Sequence, residues 1–387
     1  MKKSTKILLI IASVCLALGV TLSVAGLVNG ASRWIYADAQ GVHVVRQGTR
    51  QLNETLPAFT EIEIDLQSPV SVQVVASDHF GLSCTYREDL PLPEYSISDG
   101  KLRLWDRAYE GTQVSFYWFS LNLSGPTAQD VITLYVPEGT ALASAAFNLE
   151  SADLSLSDLS VGRLRFAGGY GALSLSAVSA QELDLQSKHG SISLTNVSTQ
   201  SLRYENAYGN GYLEQVKAVS PQPVEMTTTH GDVYLTNFTA PEARFNSQYG
   251  RLTLADSQLN TLSAASDHGD IQIMRSAAEQ VSLKAAYADI HLEQVTLSGL
   301  QAQSTQGSVF YQGALNGNAD VTCEYSNIRI ELEGPLDGYN YNLASSYGQL
   351  RMGGNQMEKY FQQDNGRPHT LTLKSSHGDI NISGQED

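Results

Sequence analysis

The sequence predicts an all-β protein: a single-stranded, right-handed parallel β-solenoid (β-helix-like) of about 19 residues per rung, preceded by one N-terminal transmembrane helix. Two observations predict it. An aromatic residue or histidine followed by glycine recurs at nearly constant spacing through most of the chain. Apolar residues recur at fixed offsets from that pair, alternating with polar ones.

The first element is the helix. Lys2, Lys3 and Lys6 precede an uncharged run from Ile7 to Val28. A helix needs roughly 20 apolar residues to span a bilayer, and this run supplies them. The basic residues keep the preceding end in the cytoplasm, so the body lies outside the cell membrane on a single-pass signal anchor. Ser23-Val24-Ala25 also offers small residues for signal-peptide cleavage near Ala25, and that alternative stays open. Trp34 and Tyr36 sit where interfacial aromatics would sit. The layout is then a cytoplasmic tail over 1–6, an anchor over 7–28, a juxtamembrane linker over 29–58, an N-terminal β-region over 59–144 and β-solenoid repeats over 145–387.

From Phe59 to Val136 the pattern is β without the repeat. Ile62-Glu63-Ile64-Asp65-Leu66 and Val70-Ser71-Val72-Gln73-Val74 alternate cleanly, and Asp99-Gly100 marks a two-residue hairpin. An open solenoid end exposes a strand edge, so this region is expected to cap the first coil, with Phe116-Tyr117-Trp118-Phe119 serving the cap.

The repeat follows. Tyr170, His189, Tyr208, His230, Tyr249 and His268 each precede glycine, in steps of 19, 19, 22, 19 and 19. The register continues through Tyr287, Gln306 and Tyr325, then Tyr347-Gly348 and His377-Gly378, and backwards to Ser151. With the aromatic as position zero, position +3 reads Leu154, Leu173, Ile192, Gly211, Val233, Leu252, Ile271, Ile290, Val309, Ile328, Leu350 and Ile380. Position +5 is apolar in the same way, as are most −6 and −4 residues, for example Leu183 and Leu185. Period-2 alternation marks strands with one buried face, so each unit is a strand, a glycine bend and a second strand. Such units bury a core only by stacking at about 4.8 Å, rung on rung. Tyr and His alternate at position zero, so a doubled coil of about 38 residues competes with a single-unit coil of about 19 residues. The apolar pattern does not alternate, which favours the single unit. The longer steps are outward loops: one at Pro221 and Pro223, one at Gly334-Pro335, and one over 355–366, whose Met357, Tyr360 and Phe361 are read as a short helix.

Composition excludes several classes. The 387 residues carry a net charge of −16 with only 17% charged residues. That balance argues against nucleic acid, whose phosphates need Lys and Arg. Of the three cysteines, Cys15 lies in the apolar run, and Cys84 and Cys323 read as small core residues.

These residues resemble the bacterial putative-adhesin family of β-strand-repeat domains, a domain of unknown function related to the head GIN adhesin domain. The resemblance is carried by Phe59-Thr60-Glu61-Ile62-Glu63-Ile64, Asp99-Gly100-Lys101-Leu102, Val136-Pro137-Glu138-Gly139 and units such as Gly269-Asp270-Ile271. It covers roughly residues 59–387 and implies an exported, often membrane-anchored β-solenoid. It brings no functional residues with it.

No cofactor, metal site or catalytic set is expected. His189, His230, His268 and His377 lie two rungs apart, about 9.6 Å, and share their column with Tyr. Asp232, Asp270, Asp289 and Asp379 follow the corner, but Asn210, Arg251 and Gln349 fill the same slot, so turn chemistry explains them better than calcium. No paired carboxylates of a carbohydrate-active enzyme stand out. The candidate ligand-binding face is position +4, which points outward between two buried positions and carries Tyr212, Tyr234, His291, Phe310, Arg329 and Arg351. The expected function is a cell-surface interaction or structural module of adhesin type, with a surface glycan or a protein as ligand. The alternative is an envelope-stress accessory or sensor acting through membrane partners. The ligand and the oligomeric state stay open.

Overall fold

The computed structural model describes residues 3–28, 35–38, 41–44, 49–87, 92–106, 130–220 and 222–384. The aromatic run at 116–119 lies outside them. An α-helix spans Lys3–Val28, and its apolar side chains from Ile11 to Val24 are exposed. Taken over the described residues, no helix is long and apolar enough to cross a membrane.

The body is a parallel β-solenoid of about ten turns with about 19 residues per turn. One turn shows how the sequence builds it. The strand Ser179–Ser187 runs into the Lys188-His189-Gly190 corner, followed by the short strand Ile192–Thr195. A second bend at Asn196 then leads into Ser198–Asn206 of the next turn. Each strand pairs in parallel with its copy one turn on, Leu173 with Ile192 and Leu183 with Leu202. The coil is therefore a single repeat unit, and the doubled coil falls away. Inside the long strand the alternation slips at Gln181 and Glu182, two consecutive outward residues, where the chain turns a third time.

The core follows from this geometry. Val178, Ala180, Leu183, Leu185, Ile192 and Leu194 of one turn point inward, and the same positions repeat through a single continuous hydrophobic cluster. Each fully buried Leu or Ile contributes roughly 1.5–3 kcal/mol. Cys84 and Cys323 are buried members of it and carry free thiols, whose pKa burial pushes up to about 12. Glycine is required at the corner because rungs touch there. A Cβ at Gly250 would lie 2.0 Å from the carbonyl oxygen of Gly231. The second bend instead uses left-handed residues with side chains, among them Asp158, Asn196, Asn237 and Asp256, with φ of 52–56°. Asn and Asp tolerate that conformation well.

At both ends the order of rungs in space departs from their order in sequence. At the N-terminal end Glu61–Leu66 lies between Lys101–Trp105 and Ala141–Leu149, and Ser71–Ser77 lies between Val131–Pro137 and Asp153–Ser157. At the C-terminal end Thr370–Ser375 and Ile380–Gly384 slot between the rung of Tyr325 and the rung of Tyr347. The outermost strands are then covered by antiparallel neighbours. Glu94–Ser98 covers Lys101–Trp105 through the Asp99-Gly100 hairpin, both of whose residues have positive φ, and Gly81–Arg87 covers Val131–Pro137. Thr49–Thr55, in the stretch read as a linker, pairs outside Gly81–Arg87. The segment read as a short helix is instead two strands. Asn355–Met357 folds back on Leu350–Met352, and Tyr360–Gln363 lies against Asn340–Ser345. Met357 and Phe361 pack on the core from these edge strands, and edge pairing satisfies the outermost backbone, which a helix there would leave open.

Candidate functional site

Two rows of side chains flank the glycine corner. The first is position +4 on the short strand. Tyr212 and Tyr234 occupy adjacent rungs with ring centroids 5.3 Å apart and planes 5° from parallel. Asn210 donates to the Tyr212 hydroxyl at 3.2 Å, and the Tyr234 hydroxyl donates to Asp232 at 3.1 Å. Partial burial first, and then that bond, raise the Tyr234 phenol above its ordinary range. Beyond Thr253 and Gln272, His291 and Phe310 stack at 4.7 Å, and the Arg329 guanidinium sits 5.7 Å from the Phe310 centroid. Arg351 is not next to Arg329, because Asn381 of the inserted rung separates them. Stacking turns ring faces toward one another, so the row does not offer a continuous run of apolar faces to a ligand. Tyr212 is the exception. It is 45% exposed, and its neighbour on the other side is Ser193, too short to cover the ring.

The second row, which the sequence reading treated as corner residues, is the position-zero column. Tyr170, His189, Tyr208, His230, Tyr249, His268 and Tyr287 form one stack with centroids 4.7–5.0 Å apart. Gln306 stands next in register, and Tyr325, His377 and Tyr347 form a second stack. A Tyr separates each His from the next, so no two imidazoles meet. The described residues hold no group of three or more His, Cys, Asp or Glu able to share a metal ion.

Beneath this ladder runs a buried column that escaped the sequence reading: Ser187, Asn206, Thr228, Ser247, Ser266, Ser304 and Ser375. Ser187, Ser266, Ser304 and Ser375 each accept the backbone N–H of the corner glycine at 2.9–3.1 Å. The aspartates after the corner tie rungs together in a similar way. Asp232 accepts from the backbone N–H of Arg251, Asp270 from Asp289, Asp289 from Ser308, and Asp379 from Gln349, at 2.7–3.1 Å. Their oxygens complete the backbone ladder where the corner interrupts it.

On the other side of the ladder, the outer surface of the long strands carries a groove of about 490 Å³ spanning the rungs of Ser151 to His230. Asn148, Gln186 and Glu205 line it, with Glu150 and Lys188 3.9 Å apart across it.

No curated protein matches the chain. Among solved structures, it is similar to a putative adhesin from Parabacteroides merdae (12% identity, covering 88% of this chain and 97% of that one, TM-score 0.25). It is also similar to a putative cell adhesion protein from Clostridium sporogenes (8%, 87% and 100%, TM-score 0.18). A third is a putative lipid binding protein from Parabacteroides distasonis (10%, 88% and 98%, TM-score 0.21). Superpositions this poor carry nothing about the ligand of this chain. The family match is of another order: it takes in residues 59–237 and 219–383, nearly the whole body, and the chain belongs to the Toastrack DUF4097 family.

Proposed function

We propose that this chain is a membrane-anchored, extracytoplasmic interaction module of adhesin type, with 7–28 as a single-pass anchor, 1–6 in the cytoplasm and the solenoid presented at the cell surface. The anchor reading rests on Lys2, Lys3 and Lys6 before an uncharged run, and on the exposed apolar side chains of the helix. The interaction reading rests on one observation above others, the open ring face of Tyr212 on a ledge of serines. Ser155, Ser174 and Ser193 precede it in the row, leaving room for a ligand to lie on the strand surface and stack against the ring. Tyr234 backs that ring. Farther along, His291, Phe310 and Arg329 stack as a second contact, with Glu293 and Glu331 beside them and Arg351 beyond Asn381. Adhesion of cells displaying the full chain tests this, comparing the parent with a Tyr212→Ser, Tyr234→Ser, Phe310→Ser variant. These sites face outward and Ser already occupies the row, so the variant is expected to fold and to lose adhesion. Undiminished adhesion by the folded variant removes this face.

A further inference from the structure

The groove on the long-strand side offers a second site. Its floor is made by small side chains in rows of longer ones. In the row three residues before the corner, Ala167 lies between Asn148 and Gln186. In the row one residue before it, Gly169 and Ala207 alternate with Glu150, Lys188 and Thr229. The hollow therefore runs along the stack rather than across it, over several consecutive rungs. The ladder residues follow its lining by one position in the sequence, with Tyr170 64% and Tyr208 55% accessible on either side of His189. Stacking turns the faces of these rings toward one another.

The lining chemistry narrows the ligand. The Asn148 and Gln186 amides already donate to Asp65 at 3.0 Å and Asp184 at 3.2 Å, and each keeps a second N–H and its carbonyl oxygen, while the Thr229 hydroxyl can both donate and accept. A partner rich in hydroxyls, which also does both, satisfies them. The charges at the groove are already paired, Lys188 with Glu150 at 3.9 Å and Arg203 with Glu205, so no cation is left over for an acidic ligand. In a chain of net charge −16, that balance disfavours an anionic polymer. We infer that this groove binds a linear, non-anionic glycan, neutral or amine-bearing, lying along the solenoid axis beside the Tyr/His ladder. The site is separate from the Tyr212 face, which lies on the other side of the corner.

The test is calorimetric binding to the full chain in nanodiscs, with three probes: a β-linked glucose hexamer, a glucosamine hexamer and a galacturonate hexamer. At least one of the first two is expected to bind, and more tightly than the third. Ala167→Gln with Ala207→Gln fills the hollow from both rows, in the first of which Gln186 already stands. It is expected to weaken binding by roughly tenfold or more, a change of about 1.4 kcal/mol per factor of ten. Gln186→Ala with Glu205→Ala removes wall groups without adding bulk and is expected to give a loss in the same direction, which guards against a folding defect in the first pair. Tyr212→Ser is expected to leave this binding unchanged, so failure of the groove and failure of the Tyr212 face are told apart. Absence of binding by both non-anionic probes, preference for the galacturonate probe, or parental affinity in both double variants would overturn the assignment.

Discussion

The middle of the solenoid and its two ends obey different rules. Between the rungs of Ser151 and Tyr325, order in space is order in sequence, and each strand finds its partner in its own copy one repeat unit away. Followed outward from the middle toward either end, the chain skips a place, builds the outermost rung, and fills the gap with another segment. The difference teaches what each region must satisfy. A middle rung has neighbours on both sides, so the local apolar register suffices. An end rung has a bare edge of N–H and C=O groups, and antiparallel strands close it. In the C-terminal case the step from Tyr325 to Tyr347 is as long as the step from Tyr208 to His230, which joins adjacent rungs. Linker length therefore allows either order. The observed one keeps Tyr, His and Tyr alternating at the corner and leaves Leu350–Met352 free to pair with Asn355–Met357.

Substitutions sharpen the contrast. Leu254 is 1% exposed in a middle rung, and Leu254→Asp places an unpaired charge in a core shared by both neighbours. The expected loss is about 4 kcal/mol or more, read as loss of the folded body in a denaturant titration. Leu350 is equally buried, but in the outermost rung. There Leu350→Asp is expected to loosen 333–384 in hydrogen exchange while the middle stays protected, as nearest-neighbour stability in a repeat array requires. Equal, global unfolding by both would break the distinction. A smaller effect is expected at glycines. Gly250→Ala drives a methyl against the neighbouring backbone and is expected to cost roughly 3 kcal/mol. Gly334→Ala, in the loop that skips a rung, meets nothing within 4 Å and is expected to change stability by less than about 0.5 kcal/mol in thermal melts.

Much of the middle was legible in the sequence, because positions +3 and +5 are buried by a simple period-2 rule. Leu173 and Leu175, or Ile271 and Ile273, announce it without help. The rest depended on contacts that exist only after stacking. Ser187 and Ser266 look like any polar residue until the corner N–H above them is seen. The second bend left a signal in Asp158, Asn196, Asn237 and Asp256, residues suited to positive φ, which pass unnoticed among polar neighbours. The order of the last rungs was also encoded, since Tyr325 followed by Tyr347 breaks an alternation that His377 restores. At the candidate site, the outward direction of Tyr212 was legible, whereas the mutual covering of ring faces and the hollow over Ala167 and Ala207 were not. A one-dimensional pattern gives each row but not the relief between rows.

The stacking order itself is the most direct test. Arg329, Asn381 and Arg351 are consecutive in space at position +4, although Arg351 precedes Asn381 in sequence. Adjacent parallel strands lie about 4.8 Å apart and alternate ones about 9.6 Å, while a disulfide needs a Cα separation below about 7 Å. Two cysteine pairs in a Cys15→Ala background therefore report the order, since Cys84 and Cys323 are buried in the core. Under mild oxidation of the folded chain, Arg329→Cys with Asn381→Cys is expected to cross-link nearly completely, and Arg329→Cys with Arg351→Cys to remain reduced. Cross-linking of the second pair without the first would mean that the rungs follow sequence order and would contradict the interlocked end.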